Sequence, residues 1–151
     1  SKSVAKSDVR YKTTKRRVNS YRNTPSNSVA IKHNNRTYYY DNNRFYRNNN
    51  GRFISVAPRP GLRIDRLPVG YRTIRFGNRN FFNFGGVFYI NINNQYEVVR
   101  PEIGTIVYEL PQDAEKVFIN GGTFYEFNDI VYERVQHNGT RAYEVVSFVN
   151  Y

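Results

Sequence analysis

The chain has 151 residues and a formal net charge of +11 at pH 7, with 14 Tyr and 11 Phe but no Trp, Met or Cys. The absence of cysteine excludes disulfide frameworks, thiolate nucleophiles and sulfur metal sites. Aromatic residues favour strands, and the abundant Asn and Gly suit tight turns, so we predict an all-β fold.

The charge is distributed unevenly along the chain. Residues 1–36 carry ten Lys or Arg against one Asp, a net +9, whereas residues 80–151 carry four basic against nine acidic residues, a net −5. Residues 1–28 are basic and polar and contain few large apolar side chains. We expect them to form an extended or disordered arm, which is either a solvated tail or a segment that orders on an anionic surface.

The remaining residues, 29–151, contain a pattern that recurs every 43 positions. Tyr38-Tyr39 aligns in this way with Phe81-Phe82 and Phe124-Tyr125. The pattern predicts three tandem repeats, and a four-residue insertion around Gln136 to Thr140 lengthens the third. Their predicted bounds are 29–71, 72–114 and 115–151.

Turn signals recur at the same interval. Asn42-Asn43, Gly85-Gly86 and Asn128-Asp129 are pairs that accept a two-residue type I′ turn. The pattern therefore predicts that each repeat forms a small sheet, a four-stranded antiparallel meander. We expect the three small sheets to pack on one another. A further short strand is predicted within 105–109.

Four sequence features together resemble a known family. They are Tyr38-Tyr39, Tyr96-Glu97-Val98-Val99, the spacing P-x-x-G-x-x-x-x-x-L-P-x-G from Pro58 to Gly70, and Phe81-Phe82. The combination is similar to an uncharacterised tyrosine-rich domain family of exported or periplasmic proteins in Gram-negative bacteria. The resemblance implies export and a β-rich module in the periplasm or at the outer membrane, and it supplies no activity. The chain departs from the valine-rich pattern of that family at Arg59, Arg63, Arg66, Arg72 and Arg75.

Motifs of catalysis are missing from the sequence. His33 and His137 fall in or beside predicted turns without further ligands nearby, so we expect no metal site, and no P-loop or dinucleotide fingerprint indicates a cofactor. The carboxylates are expected on solvated faces and turns. Hydrolysis through paired carboxylates, with Glu126 and Glu133 as candidates, is the alternative to a non-enzymatic protein.

The aromatic residues that recur at equivalent positions of the three repeats, here called the aromatic columns, have two interpretations. The first is that the rings form cross-strand pairs within the sheets, and the second is that they form a binding surface. Neighbouring strand residues point to opposite faces, and the counterparts of Tyr40, which are Asn83 and Glu126, are polar. We therefore predict Tyr40 on the solvent face as an exposed contact, and the buried side is predicted to hold Tyr39, Phe82 and Tyr125.

The leading hypothesis is a non-enzymatic, exported interaction subunit that docks on envelope proteins, such as a larger outer-membrane or periplasmic complex. The alternative is a binder of anionic glycan, lipid headgroups or nucleic acid through a basic, aromatic surface. Basic and aromatic side chains of the first repeat and of the arm are the predicted contacts. They are Tyr40, Arg44, Phe45 and Arg47 in the repeat, and Arg10, Lys12, Lys15, Arg16, Arg17 and Arg22 in the arm.

Overall fold

A computed structural model describes residues 3–13 and 20–150. The described residues form seventeen strands and one 3₁₀ turn, which confirms the all-β prediction. No described segment forms a helix with the length and apolar character needed to cross a membrane. The strands are β1 Ser3–Ala5, β2 Arg10–Tyr11, β3 Ser20–Tyr21, β4 Val29–His33, β5 Arg36–Asp41, β6 Arg44–Asn49, β7 Arg52–Val56, β8 Arg63–Ile64, β9 Arg72–Phe76, β10 Arg79–Phe84, β11 Val87–Ile92, β12 Gln95–Val99, β13 Ile106–Val107, β14 Glu115–Ile119, β15 Gly122–Phe127, β16 Ile130–His137 and β17 Thr140–Asn150.

The strands form three sheets of similar strand order. The first sheet has the order β3-β7-β6-β5-β4 and the second the order β8-β12-β11-β10-β9. The third contains β1-β17-β16-β15-β14-β2, with β13 also paired to β17. In each sheet, four consecutive strands form an antiparallel meander, and a short strand that precedes them pairs with the last. The predicted strand within 105–109 is confirmed as β13, whereas β3 and β8 were not predicted. The 43-residue sequence repeat itself stays a prediction.

The hairpin turns adopt the backbone conformation that their sequences predict. The φ angles are 45° and 70° at Asn42-Asn43, 57° and 85° at Gly85-Gly86, and 52° and 65° at Asn128-Asp129. A type I′ turn needs positive φ at both central residues, a conformation that Gly and Asn tolerate best. The three predicted turns are therefore confirmed, and each fixes the register of its hairpin.

The described chain separates into two compact units, and each has its own core. The central unit consists of Arg16–Arg72 and Phe82–Val99, and the terminal unit of Ser1–Lys15, Thr73–Phe81 and Arg100–Tyr151. In the central unit, the first sheet packs on the second around Tyr38, Phe45, Leu62, Ile64, Val87, Tyr89 and Val98. In the terminal unit, the third sheet encloses Val9, Val117, Ile119, Val131 and Val149.

The predicted arm is partly built into the terminal unit. Strand β1 pairs in parallel with β17, and β2 pairs antiparallel with β14, so the two short strands extend opposite edges of the third sheet. Only residues 6–9 connect them, and a chain reaches at most about 3.5 Å per residue. The edges of this sheet must therefore curve towards each other. Val9, on the connection, is buried in the core. Of the two expected states, extended or disordered, the first describes β1 and β2, and both strands belong to the third sheet.

Strand β3 places part of the same predicted arm in the central unit. Ser20 and Tyr21 pair with Ile54 and Phe53 of β7, and the Arg52 guanidinium donates to the Ser20 hydroxyl at 2.9 Å. The predicted boundary at residue 28 therefore does not separate an arm from the sheets. Residues 14–19, which include Lys15, Arg16 and Arg17, lie outside the described part of the chain.

The turn between β11 and β12 offers a test of the register argument. Asn93 and Asn94 are exposed and have φ angles of 49° and 64°. Asn94→Val should lower the free energy of unfolding by about 1–2 kcal/mol, because a β-branched residue is strained in the left-handed region. Asn94→Gly is the matched control and should stay within a few tenths of a kcal/mol of the wild type or exceed it. Urea unfolding measures both, and equal losses for the two variants would contradict the argument.

Candidate functional site

The two faces of the first sheet are both covered, and their assignment differs from the prediction. Tyr38 is 5% exposed and lies in the core between the first and second sheets. Tyr39 points to the opposite face, where its ring meets Phe53 edge to face with centroids 5.5 Å apart. In the first sheet, the side predicted to be buried is therefore the outer one, and the side predicted to face solvent is the core. In the second sheet, Phe82 packs against this core, as predicted.

Cross-strand ring pairs of the same geometry occur in all three sheets. Phe82 meets Tyr96 at 5.8 Å and Tyr125 meets Tyr143 at 5.7 Å, both close to perpendicular. Edge-to-face pairs of this kind contribute about 0.5–1.5 kcal/mol beyond the apolar area they bury. The interpretation of the aromatic columns as sheet packing is supported by these contacts.

Tyr40 and Phe45 do not form an exposed contact. Phe45 is 1% exposed, and Tyr40 is half-buried with its ring 4.7 Å from that of Phe45. Burial raises the pKa of the Tyr40 hydroxyl. The prediction relied on polar counterparts of position 40, but one of these, Glu126, is itself buried. A polar residue at this position therefore does not indicate a solvent-facing site.

The basic residues predicted as contacts lie on different surfaces. Arg44 is exposed opposite Asp41, on the face away from Tyr40, whereas Arg47 is half-buried opposite Tyr38 on the core face. From the predicted arm, the Arg10 guanidinium lies 5.5 Å from the centre of the Phe118 ring. Lys12 and Arg22 are exposed.

A groove of about 630 Å³ lies in the central unit beside β4, the edge strand of the first sheet. Strand β8, at the edge of the second sheet, contributes to the same groove. This volume is within the range of about 300–1,000 Å³ that is typical of ligand clefts. The groove is lined by Val29, Ala30, Ile31, Lys32, His33, Tyr40, Gly61, Arg63, Ile64, Asp65, Arg66 and Gln95.

The charged groups of the groove are partly paired. The Arg63 guanidinium donates to the Glu97 carboxylate at 2.9 Å, and the Gln95 side-chain amide donates to Asp65 at 2.9 Å. Lys32 and Arg66 are exposed at the groove. Because Arg63 is paired with Glu97, Lys32 and Arg66 against Asp65 leave the groove with a small positive charge, which the sequence alone did not indicate.

A glycine of the groove lining leaves room for the His33 ring. Gly61 has a φ of 101°, and a Cβ built on it would lie 2.7 Å from Cε1 of the His33 ring. The His33 ring therefore packs directly against the Gly61 backbone. His33 is a packing residue of the groove, and the described residues hold no cluster of three or more potential metal ligands.

The charge of the chain is concentrated in the central unit. Its sequence contains twelve Lys or Arg against Asp41, Asp65 and Glu97, a net +9, whereas the terminal unit has eleven basic against nine acidic residues, a net +2. The groove thus lies in the part of the molecule with the strongest attraction for anions.

A buried carboxylate holds the N-terminal segment in the terminal unit. Glu126 is 7% exposed. One of its oxygens accepts a hydrogen bond from the Tyr11 hydroxyl at 2.9 Å, and the other accepts from the backbone N–H of Asp129 at 2.9 Å. The Lys6 ammonium donates to the Tyr11 hydroxyl at 2.9 Å. Sequence reasoning treated Glu126 as a solvated carboxylate and missed this contact, because Tyr11 and Glu126 are 115 positions apart.

The Tyr11 contact predicts a difference in alkaline stability. Burial and the neighbouring Glu126 carboxylate raise the pKa of Tyr11 to about 12, despite the opposing effect of Lys6. A raised pKa in the folded state contributes stability below the ordinary value near 10, and this is lost as the pH rises towards 12. Tyr11→Phe should therefore lose less free energy of unfolding between pH 10 and pH 12 than the wild type. Denaturant unfolding across this range measures the difference, and parallel pH curves would contradict the assignment.

Comparison with known proteins gives a family without a known function. Residues 17–149 match a family of unknown function (DUF6515), and the match begins just ahead of β3 and ends within β17. Neither the curated proteins nor the solved structures gave a match. The expected relation to an uncharacterised family is confirmed, while the tyrosine-rich pattern and the export attached to it stay predictions. The matched region covers most of the chain, and the chain therefore belongs to this family of unknown function.

Proposed function

We propose that this chain is a non-enzymatic interaction protein of the cell envelope, an accessory subunit that docks on a larger periplasmic or outer-membrane protein assembly. The observation that carries the proposal is the net +9 of the central unit together with the basic groove beside β4. The location in the envelope rests on the sequence resemblance alone.

The arrangement of the aromatic rings favours a protein partner over a nucleic acid. Single-strand binders present ring faces to stack on bases. Here Tyr39 and Phe53, Phe82 and Tyr96, and Tyr125 and Tyr143 contact each other edge to face across strands. These rings pack against each other within the sheets, so the proposal rests on the charge and the groove and not on the ring pairs.

The second candidate function is the binding of anionic glycan, lipid headgroups or nucleic acid. The exposed cations of the central unit, such as Lys32 and Arg66, favour it. Ionic strength separates the two candidates, because phosphate or sulfate contacts release counterions and weaken steeply with salt. A docked protein interface with an apolar component should persist at moderate salt.

The docking role of the basic residues needs a substitution test. Deletion of 1–28 would remove β1, β2 and β3, so a loss of partners after deletion would not identify a contact. Substitution by Ser of the exposed Lys32, Arg36 and Arg66 removes three charges of the central unit. The matched control substitutes the exposed Arg75, Arg134 and Arg141 of the terminal unit by Ser.

The expected result is that the wild type and the terminal-unit control retain the same envelope proteins during mild-detergent purification at moderate salt, while the central-unit variant loses them. Quantitative mass spectrometry of the retained proteins measures this. Equal retention by both triple variants would refute docking through the central unit. A steep loss of all binding between about 50 and 200 mM salt would favour the polyanion function instead.

A further inference from the structure

We propose that the edge strand β4 binds an extended acidic polypeptide segment of the partner by antiparallel strand addition within the groove. This inference rests on the proposed interaction function and gives it a binding mode. Strand addition uses the backbone groups of an open sheet edge for affinity and the alternating side chains for specificity.

The register of β4 shows which backbone groups are available. His33 and Arg36 flank the two-residue turn at Asn34-Asn35, so they form a hydrogen-bonded pair, and the hydrogen-bonded pairs alternate along the strand. The N–H and C=O groups of Ala30 and Lys32 consequently point away from β5. No described backbone group bonds to this edge, since β4 ends the first sheet and the backbone bonds outside the strands do not involve it.

The third sheet contains an internal example of the proposed contact. Its first meander strand, β14, has the same length as β4 and also precedes a two-residue turn. Strand β2 adds antiparallel to the open edge of β14, and the Lys12 N–H donates to the Lys116 carbonyl at 3.0 Å. Lys116 is the second residue of β14, as Ala30 is the second residue of β4. The position that β2 fills on β14 is therefore open on β4 among the described residues.

The groove indicates the side chains of the added segment. A strand paired with β4 would alternate its side chains between the core face, which carries Val29 and Ile31, and the outer face, which carries Lys32. Val29 is 58% exposed and thus leaves apolar surface for a partner. Apolar residues would therefore pack towards Ile31, and acidic residues would lie opposite Lys32 with Arg66 nearby. The inferred partner segment alternates apolar and acidic residues.

The test uses a fluorescent synthetic peptide in which Val and Glu alternate, titrated onto the full chain. Ala30→Pro removes the outward N–H of Ala30 without touching the β4–β5 ladder, because proline is tolerated at such an edge position. Thr73→Pro is the matched control, since Thr73 is the second residue of the edge strand β9. Thermal unfolding of each variant checks that it is folded.

The expected result is that wild type and Thr73→Pro bind the peptide equally, while Ala30→Pro weakens binding by about tenfold or more. Modified peptides keep the test valid if Ala30→Pro does not fold. In antiparallel addition, the residues opposite Ala30 and Lys32 form the hydrogen-bonded pairs and carry the Glu side chains. N-methylation at the Glu residues should abolish binding, and N-methylation at the Val residues should leave it intact.

Three outcomes of the peptide experiments would overturn strand addition. They are unchanged peptide affinity of a folded Ala30→Pro, equal effects of the two N-methylated peptides, and displacement of the peptide by single-stranded DNA or a sulfated glycan at equal charge concentration. Retention of envelope proteins by Ala30→Pro in the purification assay would also overturn it while the proposed docking function stands. If the wild type retains no envelope protein, the proposed function fails, whatever the peptide does.

Discussion

Two-residue turns with positive φ are the constraint on which the rest of this structure depends. A two-residue turn of Asn or Gly fixes the register in which the two strands of a hairpin pair. A shift of one strand by a single residue would move each of its side chains to the other face of the sheet. The turns at Asn34-Asn35 and Asn42-Asn43 thereby place Tyr38 in the core and Tyr39 against Phe53. The same register directs the backbone groups of Ala30 and Lys32 away from β5. Core, ring pairs and open edge thus follow from the same few turn residues.

The fold could be predicted from the sequence where its cause is local. A two-residue hairpin turn requires positive φ at both central residues, and pairs such as Gly85-Gly86 meet this requirement. The hairpins and the all-β class were therefore predictable. The choice of face was not, because both faces of the central strands are covered: Phe45 is 1% exposed and its neighbour Tyr46 is 7% exposed. In a sheet covered on both sides, the alternation of polar and apolar residues no longer identifies the core. The assignment of Tyr40 as an exposed residue failed for this reason.

Contacts between distant parts of the chain were beyond sequence reasoning. The segment around Tyr11 has a polar composition typical of a disordered tail, yet it pairs with the edge of β14, and the Tyr11 hydroxyl donates a hydrogen bond to Glu126. A buried carboxylate is costly unless it is hydrogen-bonded, so Tyr11 and the Asp129 N–H are needed to keep Glu126 where it is. These hydrogen bonds form only in the folded state, and no local sequence pattern indicates them. The groove was missed likewise, because β4 and β8 are about 30 residues apart.

The edges of the first and third sheets differ in whether described strands cover them. An open edge promotes unwanted pairing, and proteins usually cover it or disfavour it with charge. In the third sheet, β2 pairs with the edge of β14, and β1 and β13 pair with the edge of β17. Both outer strands of its meander are therefore covered. On β4, described residues leave the edge uncovered and place Lys32 on the strand with Arg63 and Arg66 across the groove. Positive charge repels a second basic copy of the chain but attracts an acidic segment. The proposed docking of an acidic strand would therefore use an edge whose charge also disfavours self-association.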